Sequence, residues 1–460
     1  MNPQQHRDRK GADLGPEPLT SAPEHHDRYA DLLRKGFDEY RTFVNPLVAQ
    51  RAALTGEPMR ITQAREGHLI DPKGRILEDF HGTQAFGHRH PAIAQAIRDY
   101  LDSDAPSWYP SRVNPFAGRL GRLLSERTGY DNAYFGCTGS DAVEAALKLA
   151  RALTKRTRIL GLTGAYHGCT FGSLSLMAEG YLRDPFGPHL AGAETVPFND
   201  IEALDAALSS GDVAAIVVEP IQGEGGVREL SPPFIEALCD LTARHGTLLV
   251  ADEVQTALGR TGLGFLASSR WPRRPDAVLL AKHRGGGLAP ISAMLTRREL
   301  FLKAYGDHFA SGESHNTTLA STALSCVAAM AALELLDDAM IARVAELGDR
   351  LKRRMIDAIG RSPLVREVRG RGFMLGVSLN QPDHPWLSFE HFGFPADLGR
   401  KAVIAPLLCH RLYERGFFCF SCGHDWSILR LQPRFDIPED RLDAFVAALA
   451  EEIAYVEGLC

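Results

Sequence analysis

The sequence predicts an α/β protein built on a mostly parallel central sheet, followed by a smaller α+β domain. Three observations predict it. From about residue 130 to 295, short Val/Ile/Leu-rich runs alternate with amphipathic helical stretches. Those runs are continuously apolar, as strands covered on both faces are. Beyond about residue 335 the pattern changes to one long helix, a strand-rich stretch and then short mixed elements.

Each element follows from local composition. Met1 to Arg28 is polar and of mixed charge, with Pro and His and no apolar core of the signal-peptide kind, so residues 1–30 are expected to be a disordered arm. Residues 31–75 are expected to pack with the small domain. Residues 76–330 would form the large domain and residues 331–460 the small one. Arg158 to Leu162, Ala214 to Val218, Thr247 to Ala251 and Ala277 to Ala281 read as strands. Ala145 to Leu153 and Pro233 to His245 read as helices. Asp338 to Ile359 should be a helix that buries Ile341, Val344, Leu347, Leu351 and Met355, which recur at helical spacing. Val365 to Leu379 is strand-rich. Helices are predicted near Val403 to Glu414 and Pro438 to Val456, with strands at Phe417 to Phe420 and Ser427 to Leu431 between them.

Bulk composition excludes several functions. The chain has 460 residues, 45% hydrophobic and 23% charged, enough for a large core. Its net charge of -6 offers no basic field for nucleic acid. No apolar run approaches the ~18 residues that span a bilayer. Eight cysteines over this length do not suggest a disulfide scaffold, and a reducing cytoplasm is expected. Cys419-Phe420-Ser421-Cys422 has no second C-x-x-C to complete a zinc site and lies in an apolar strand, so it reads as structural and no metal is expected.

In such sheets ligands bind beyond the carboxyl ends of the strands. Glu219, Asp252 and Lys282 all fall at such ends. Lys282 leaves an apolar strand and precedes three glycines. A solvated charge is out of place there, whereas a buried, deprotonated amine could serve as a Schiff-base nucleophile. Asp252 is carried by an apolar strand into the interior, where a carboxylate needs a cationic or strongly donating partner; a protonated ring nitrogen or a structural ion pair would serve. Gln255 lies three residues on. Gly136-Cys137-Thr138-Gly139-Ser140-Asp141 precedes a predicted helix, and Thr138 or Ser140 can cap it. Free N–H groups, hydroxyls and the positive dipole end would there make an anion site suited to phosphate. Tyr166, in Gly164-Ala165-Tyr166-His167-Gly168, follows a strand and can stack on a planar ligand.

In this order the pieces resemble the class III (omega-type) aminotransferases of the fold-type I pyridoxal-phosphate family. The resemblance runs from about Gly67 to Val456. It is strongest at Gly87-His88-Arg89-His90-Pro91, Thr138 to Arg151, Tyr166-His167-Gly168, Glu219-Pro220-Ile221-Gln222-Gly223-Glu224, Ala251 to Gly262 and Ala281 to Gly287. It implies pyridoxal 5'-phosphate as cofactor and a transfer of an amino group between a primary amine, expected to be terminal, or an amino acid and a 2-oxo acid such as 2-oxoglutarate or pyruvate. The reaction would be ping-pong, through pyridoxamine phosphate. Lys282 would carry the cofactor as a Schiff base and move the proton, Asp252 would keep the pyridine nitrogen protonated, and Tyr166 would stack on the ring. Gln255 would contact the ring hydroxyl oxygen. Gly139 and Ser140 would hold the phosphate, with Thr138, His167, Glu219 and Val254 completing the cofactor site. Thr318, in His315-Asn316-Thr317-Thr318, matches a threonine that reaches the neighbouring subunit's phosphate, so a homodimer with composite sites is implied. Arg430 matches the family's α-carboxylate clamp, and Glu224 the glutamate that pairs with it and swings away when a keto acid enters. Trp108 and Tyr109 would wall the substrate pocket.

The chain also departs from the family. Members acting on ornithine or 4-aminobutyrate carry an arginine where this sequence has Cys169, so a second carboxylate clamp is missing or supplied elsewhere. His283 and Arg284 replace small or apolar residues. A racemase or epimerase on the same fold would use the same Lys282 and Asp252. A non-catalytic binding subunit is the third reading, against which both residues argue.

Overall fold

Alternating apolar strands and amphipathic helices build a sheet in the order Asn132–Gly136, Ser292–Thr296, Ala277–Leu280, Leu248–Asp252, Val213–Val218, Arg158–Leu162, Ala193–Val196. The computed structural model describes residues 27–49, 61–65, 68–82, 84–109, 113–306, 312, 314–384, 387 and 402–460. Ser292–Thr296 runs antiparallel to both neighbours, and every other pairing in this sheet is parallel. Val213–Val218 and Leu248–Asp252 are buried at every position. That accounts for their unbroken apolar runs, since helices cover both faces of such a strand.

The long helix spans Asp338–Ile359 and buries Ile341, Val344, Leu347, Leu351 and Met355, the stripe expected from spacing. A second, antiparallel sheet orders Val365–Arg371, Met374–Leu379, Ile428–Leu431 and Phe420–Ser421. A third joins Gln63–Arg65, His68–Ile70 and Ile76–Asp79 to Phe417–Phe418. Its last pairing, Ile76–Asp79 with Phe417–Phe418, is parallel and bridges distant stretches of chain. The helices Ile404–Glu414 and Glu439–Glu457 complete this region. Cys419 and Cys422 are buried and free.

The chain divides into two compact units at Arg51 and Ala52. In the first, the helix Asp27–Phe43 is amphipathic. Of the arm expected over residues 1–30, residues 1–26 lie outside the described residues, and 27–30 already belong to this helix. Among the described residues, no helix is long and apolar enough to cross a membrane, and no cluster of three or more His, Cys, Asp or Glu could hold a metal.

Candidate active site

Three adjacent parallel strands deliver the central groups. Asp252 ends Leu248–Asp252, Glu219 follows Val213–Val218, and Lys282 lies just past Ala277–Leu280. Leu248–Asp252 pairs with both others, so the three carboxyl ends lie side by side. Lys282 opens a short 3-10 turn at φ 52°, in the left-handed region a lysine rarely adopts. Such strain persists where surrounding structure holds it.

These ends open onto a cavity of about 370 Å³ lined by Cys137, Thr138, Gly139, Ser140, Tyr166, His167, Cys169, Glu219, Asp252, Val254, Gln255 and Lys282. Its size suits a small ligand. At its floor starts the helix Gly139–Thr154. Thr138 caps it, accepting from Asp141 N, while the Asp141 carboxylate accepts from Cys137 N and Thr138 N. This reciprocal cap, a capping box, leaves the start of the helix facing the cavity. The predicted helix began at Ala145; capping, not propensity, extends it back to Gly139. Ser140 Oγ is not the cap and accepts from Cys169 N at 3.2 Å. A side chain at Gly139 would press on Val254 at 3.3 Å.

Deep in the cavity, His167 and Asp252 are buried together, with Nδ1 and Oδ2 2.7 Å apart. Burial works against a charged imidazole, but the bond to Asp252 and its charge outweigh it and raise the His167 pKa. The other Asp252 oxygen accepts from Val254 N at 3.1 Å. Among the described residues, His167 Nε2 and Gln255 Oε1 are buried without partners. Glu219 accepts from Tyr166 N and Gly223 N at 2.9 and 3.0 Å, and burial still pushes its carboxyl up to about 7. Lys282 lines this open cavity and is exposed there. Burial, with the Arg430 charge, pulls its amine down to about 8 against the carboxylates of Glu224, Glu219 and Asp252. Tyr166 lines the same cavity; its hydroxyl meets Cys169 Sγ at 3.3 Å.

Glu224 adjoins the cavity through Gln255, one of its lining residues. Its Oε1 accepts from Arg430 and, at 3.1 Å, from Gln255 Nε2, while Oε2 accepts from Gly423 N at 2.8 Å. Burial opposes its charge, yet Arg430 and Lys282 bring its carboxyl down to about 2. Arg430 is 5% exposed, and among the described residues its Nε has no partner.

Some expected residues lie elsewhere. Trp108 and Tyr109 do not line the Lys282 cavity. They line a second groove of about 380 Å³ with Thr317, Thr318 and Ser321, and Thr318 is exposed there. His283 is buried with Nε2 3.2 Å from Ala257 O, and burial pushes its pKa down to about 3. Arg284 is fully buried over the Phe135 ring, with none of its three nitrogens paired among the described residues.

Two residues near the site carried no signal of their own in the sequence. Arg260 is buried and donates to the carbonyls of Gly82, Phe373 and Pro433, tying the loop after Asp252 to the second sheet. His81 sits beside Phe420, the cross-strand partner of Arg430. Only the contacts made after folding distinguish them from other basic residues.

The donor set fits a pyridine aldehyde phosphate. It offers an amine of depressed pKa, a buried carboxylate for a ring nitrogen, two unsatisfied buried polar atoms and a helix start for a phosphate. The model of the aminotransferase class-III family matches residues 51–453. The aminotransferase PigE of a Serratia species is 31% identical over 454 residues, covering 90% of this chain, which spans only 52% of that protein's length. Ornithine aminotransferase 2 of Staphylococcus aureus is 32% identical over 404 residues, 84% of this chain and 92% of that protein. The solved structure of an amine transaminase from an uncultivated Pseudomonas species, in its PLP-bound form, is 26% identical with a TM-score of 0.74, covering 86% of this chain and 94% of that one. With the family model spanning nearly the whole chain and the site assembled at the strand ends, the protein belongs to the class-III aminotransferases, enzymes dependent on pyridoxal 5'-phosphate.

Proposed function

We propose that this class-III aminotransferase moves an amino group from a primary, terminal amine to a 2-oxo acid such as 2-oxoglutarate or pyruvate, in two half-reactions that share one pocket. The observation that carries this reading is the Glu224–Arg430 pair, largely buried and close enough to Lys282 to act on its charge. Paired, the two charges cancel and the pocket suits an amine without an α-carboxylate. Released, the Arg430 guanidinium can grip a carboxylate with two parallel bonds, and its Nε is already without a partner among the described residues. Cys169 supplies no second cation, which argues against ornithine as donor although one relative is named for it. Similarity to a structure named an amine transaminase supports the amine donor.

Bound in the cavity, pyridoxal phosphate supplies an electrophilic carbonyl and an electron-accepting ring. Lys282 Nζ, with its pKa drawn to about 8, is the base positioned to take the proton from the donor's amine-bearing carbon. Asp252 would hold the proton on the ring nitrogen, and His167 keeps the carboxylate in place. Gly139, Ser140 and the helix start would hold the phosphate, Tyr166 would lie against the ring, and Gln255 would meet its hydroxyl oxygen. We infer a homodimer as well: Thr318 is exposed and lies outside this chain's own cavity, as a residue serving a second subunit's phosphate would.

The test is to mix the purified holoprotein with single terminal amines and follow the cofactor's visible absorbance, then add 2-oxoglutarate or pyruvate. Loss of the visible band with amine, and its return with the oxo acid as the matching amino acid forms, is the expected result. Exchange of the α-hydrogen without amino transfer would assign a racemase instead, and a protein that holds no cofactor would refute both.

A further inference from the structure

The chain packs an imidazole against the strand partner of Arg430, outside the residues that line the cavity. Phe420 and Arg430 are cross-strand partners in the second sheet. Directly opposed residues project to the same face. The His81 ring packs edge-on against Phe420, with centroids 4.9 Å apart at 72°. The backbone around His81 is stitched to both sides of this arrangement: Phe80 N donates to Phe418 O, and Phe80 O accepts from Gln432 N, each at 2.8 Å. Asp79 fixes the His81 amide at 2.7 Å. Gly82 lets the chain pass the Gln432 side chain, since a Cβ there would fall 2.2 Å from Gln432 Cβ. This half-buried imidazole has no hydrogen-bond partner among the described residues.

Its surroundings decide what it can do. Burial and the Arg430 charge push the His81 pKa below its ordinary value, outweighing Asp79 and Glu224, so the ring is neutral near pH 7. A neutral ring has one N–H to give and carries no charge that would compete with Arg430 for Glu224. An imidazolium would instead offer Glu224 a second cation and hold the site in one state.

We propose that His81 is a specificity-determining residue of the acid half-reaction, donating a hydrogen bond to the carboxylate that Arg430 grips. The inference rests on the reading of Arg430 as a carboxylate clamp. A single hydrogen bond to a charged acceptor is worth about tenfold in affinity.

The experiment compares the two half-reactions in single turnovers, amine onto the holoprotein and 2-oxoglutarate onto the aminated protein, for His81→Ala, His81→Gln and Arg430→Gln. The expected result for His81→Ala is a fall of about tenfold in the efficiency of the oxo-acid step relative to the amine step, with His81→Gln recovering most of it because its amide N–H can reach the same acceptor. An unchanged ratio overturns the proposal. So does an equal loss in both steps, which would mark a structural role. Should His81→Ala fail to fold, the ratio in His81→Gln beside His81→Phe decides by the same criterion. Arg430→Gln separates the two ideas: if it spares the oxo-acid step, the clamp reading fails; if it abolishes that step while the His81 variants do not alter the ratio, only the role of His81 fails.

Discussion

Replacing Glu224 with Gln tests the two-state pocket most directly. The Glu224 carboxyl lies near 2 in the fold against an ordinary 4.5, because Arg430 and Lys282 outweigh the penalty of burial. That difference corresponds to about 3 kcal/mol favouring the carboxylate where it sits. A 2-oxo acid must displace Glu224 before Arg430 can hold it, so this figure caps the gain from removing the charge at about a hundredfold. Gln keeps an oxygen that can accept from Arg430, and the expected gain in oxo-acid efficiency is therefore smaller, about tenfold. The amine step should slow by a similar factor, since the guanidinium is left uncompensated beside a cationic substrate. Stopped-flow single turnovers of each step measure both. Unchanged oxo-acid binding together with an unchanged amine step would refute the switch.

The same variant carries a stability signature. A depressed carboxylate pKa contributes stability that is fully present above 4.5 and is lost as pH falls towards 2. The native protein should exceed Glu224→Gln in stability at neutral pH by up to about 3 kcal/mol, with the gap closing between pH 4.5 and 2. Chemical denaturation of the two proteins at a series of pH values reads that gap.

Three further outcomes are expected. Lys282→Ala should still bind the cofactor through its phosphate contacts but lose turnover at least a thousandfold, about 4 kcal/mol of barrier; a variant that turns over normally would contradict the assignment. Reconstitution of the apoprotein with pyridoxal phosphate should speed up as pH rises and level off above about 8, because only the free Lys282 amine is nucleophilic and burial has drawn its pKa to that point; a pH-independent rate would show the amine is not what limits capture. Gly168→Ala should lower the melting temperature and weaken cofactor binding, since φ there is +123° and the new Cβ would lie 2.0 Å from Ser140 Oγ; a cost of about 2 kcal/mol or more is expected.

The legible parts of the fold were those whose residues announce their period. Val213–Val218 and Leu248–Asp252 are continuous apolar runs, and Asp338–Ile359 repeats its buried residues every three or four positions. Ser292–Thr296 carries no clear strand signal: serine, alanine and threonine blur its pattern, and its antiparallel placement is settled by pairing with Asn132–Gly136 and Ala277–Leu280. That Asp252 and Lys282 meet at one cavity is legible because a charge ending an apolar strand conflicts with its surroundings. His167 stood in the sequence as one more cofactor contact, and its role as the partner of Asp252 emerges only when the Gly164–Gly168 turn is brought under that strand end. Trp108 and Tyr109 lie in the groove that also holds Thr318, and aromaticity alone does not say which groove a loop faces.

The substrate stays less legible than the cofactor for a geometric reason. Lys282, Asp252 and Glu219 end neighbouring strands of one sheet, so a short stretch of sequence around each fixes its position. Arg430 comes from a different sheet, and its side is set by register: it opposes Gly376 on one neighbouring strand and Phe420 on the other. A slip of one residue would turn its guanidinium to the opposite face, away from Glu224. That register is held in turn by Phe80 N on Phe418 O and Gln432 N on Phe80 O, bonds made by a segment far away in the chain. If Arg430 is the carboxylate clamp proposed above, specificity depends on how two sheets and the 79–82 segment meet, so substitutions in that segment should alter the relative efficiencies of different 2-oxo acids in single turnovers while leaving cofactor binding intact.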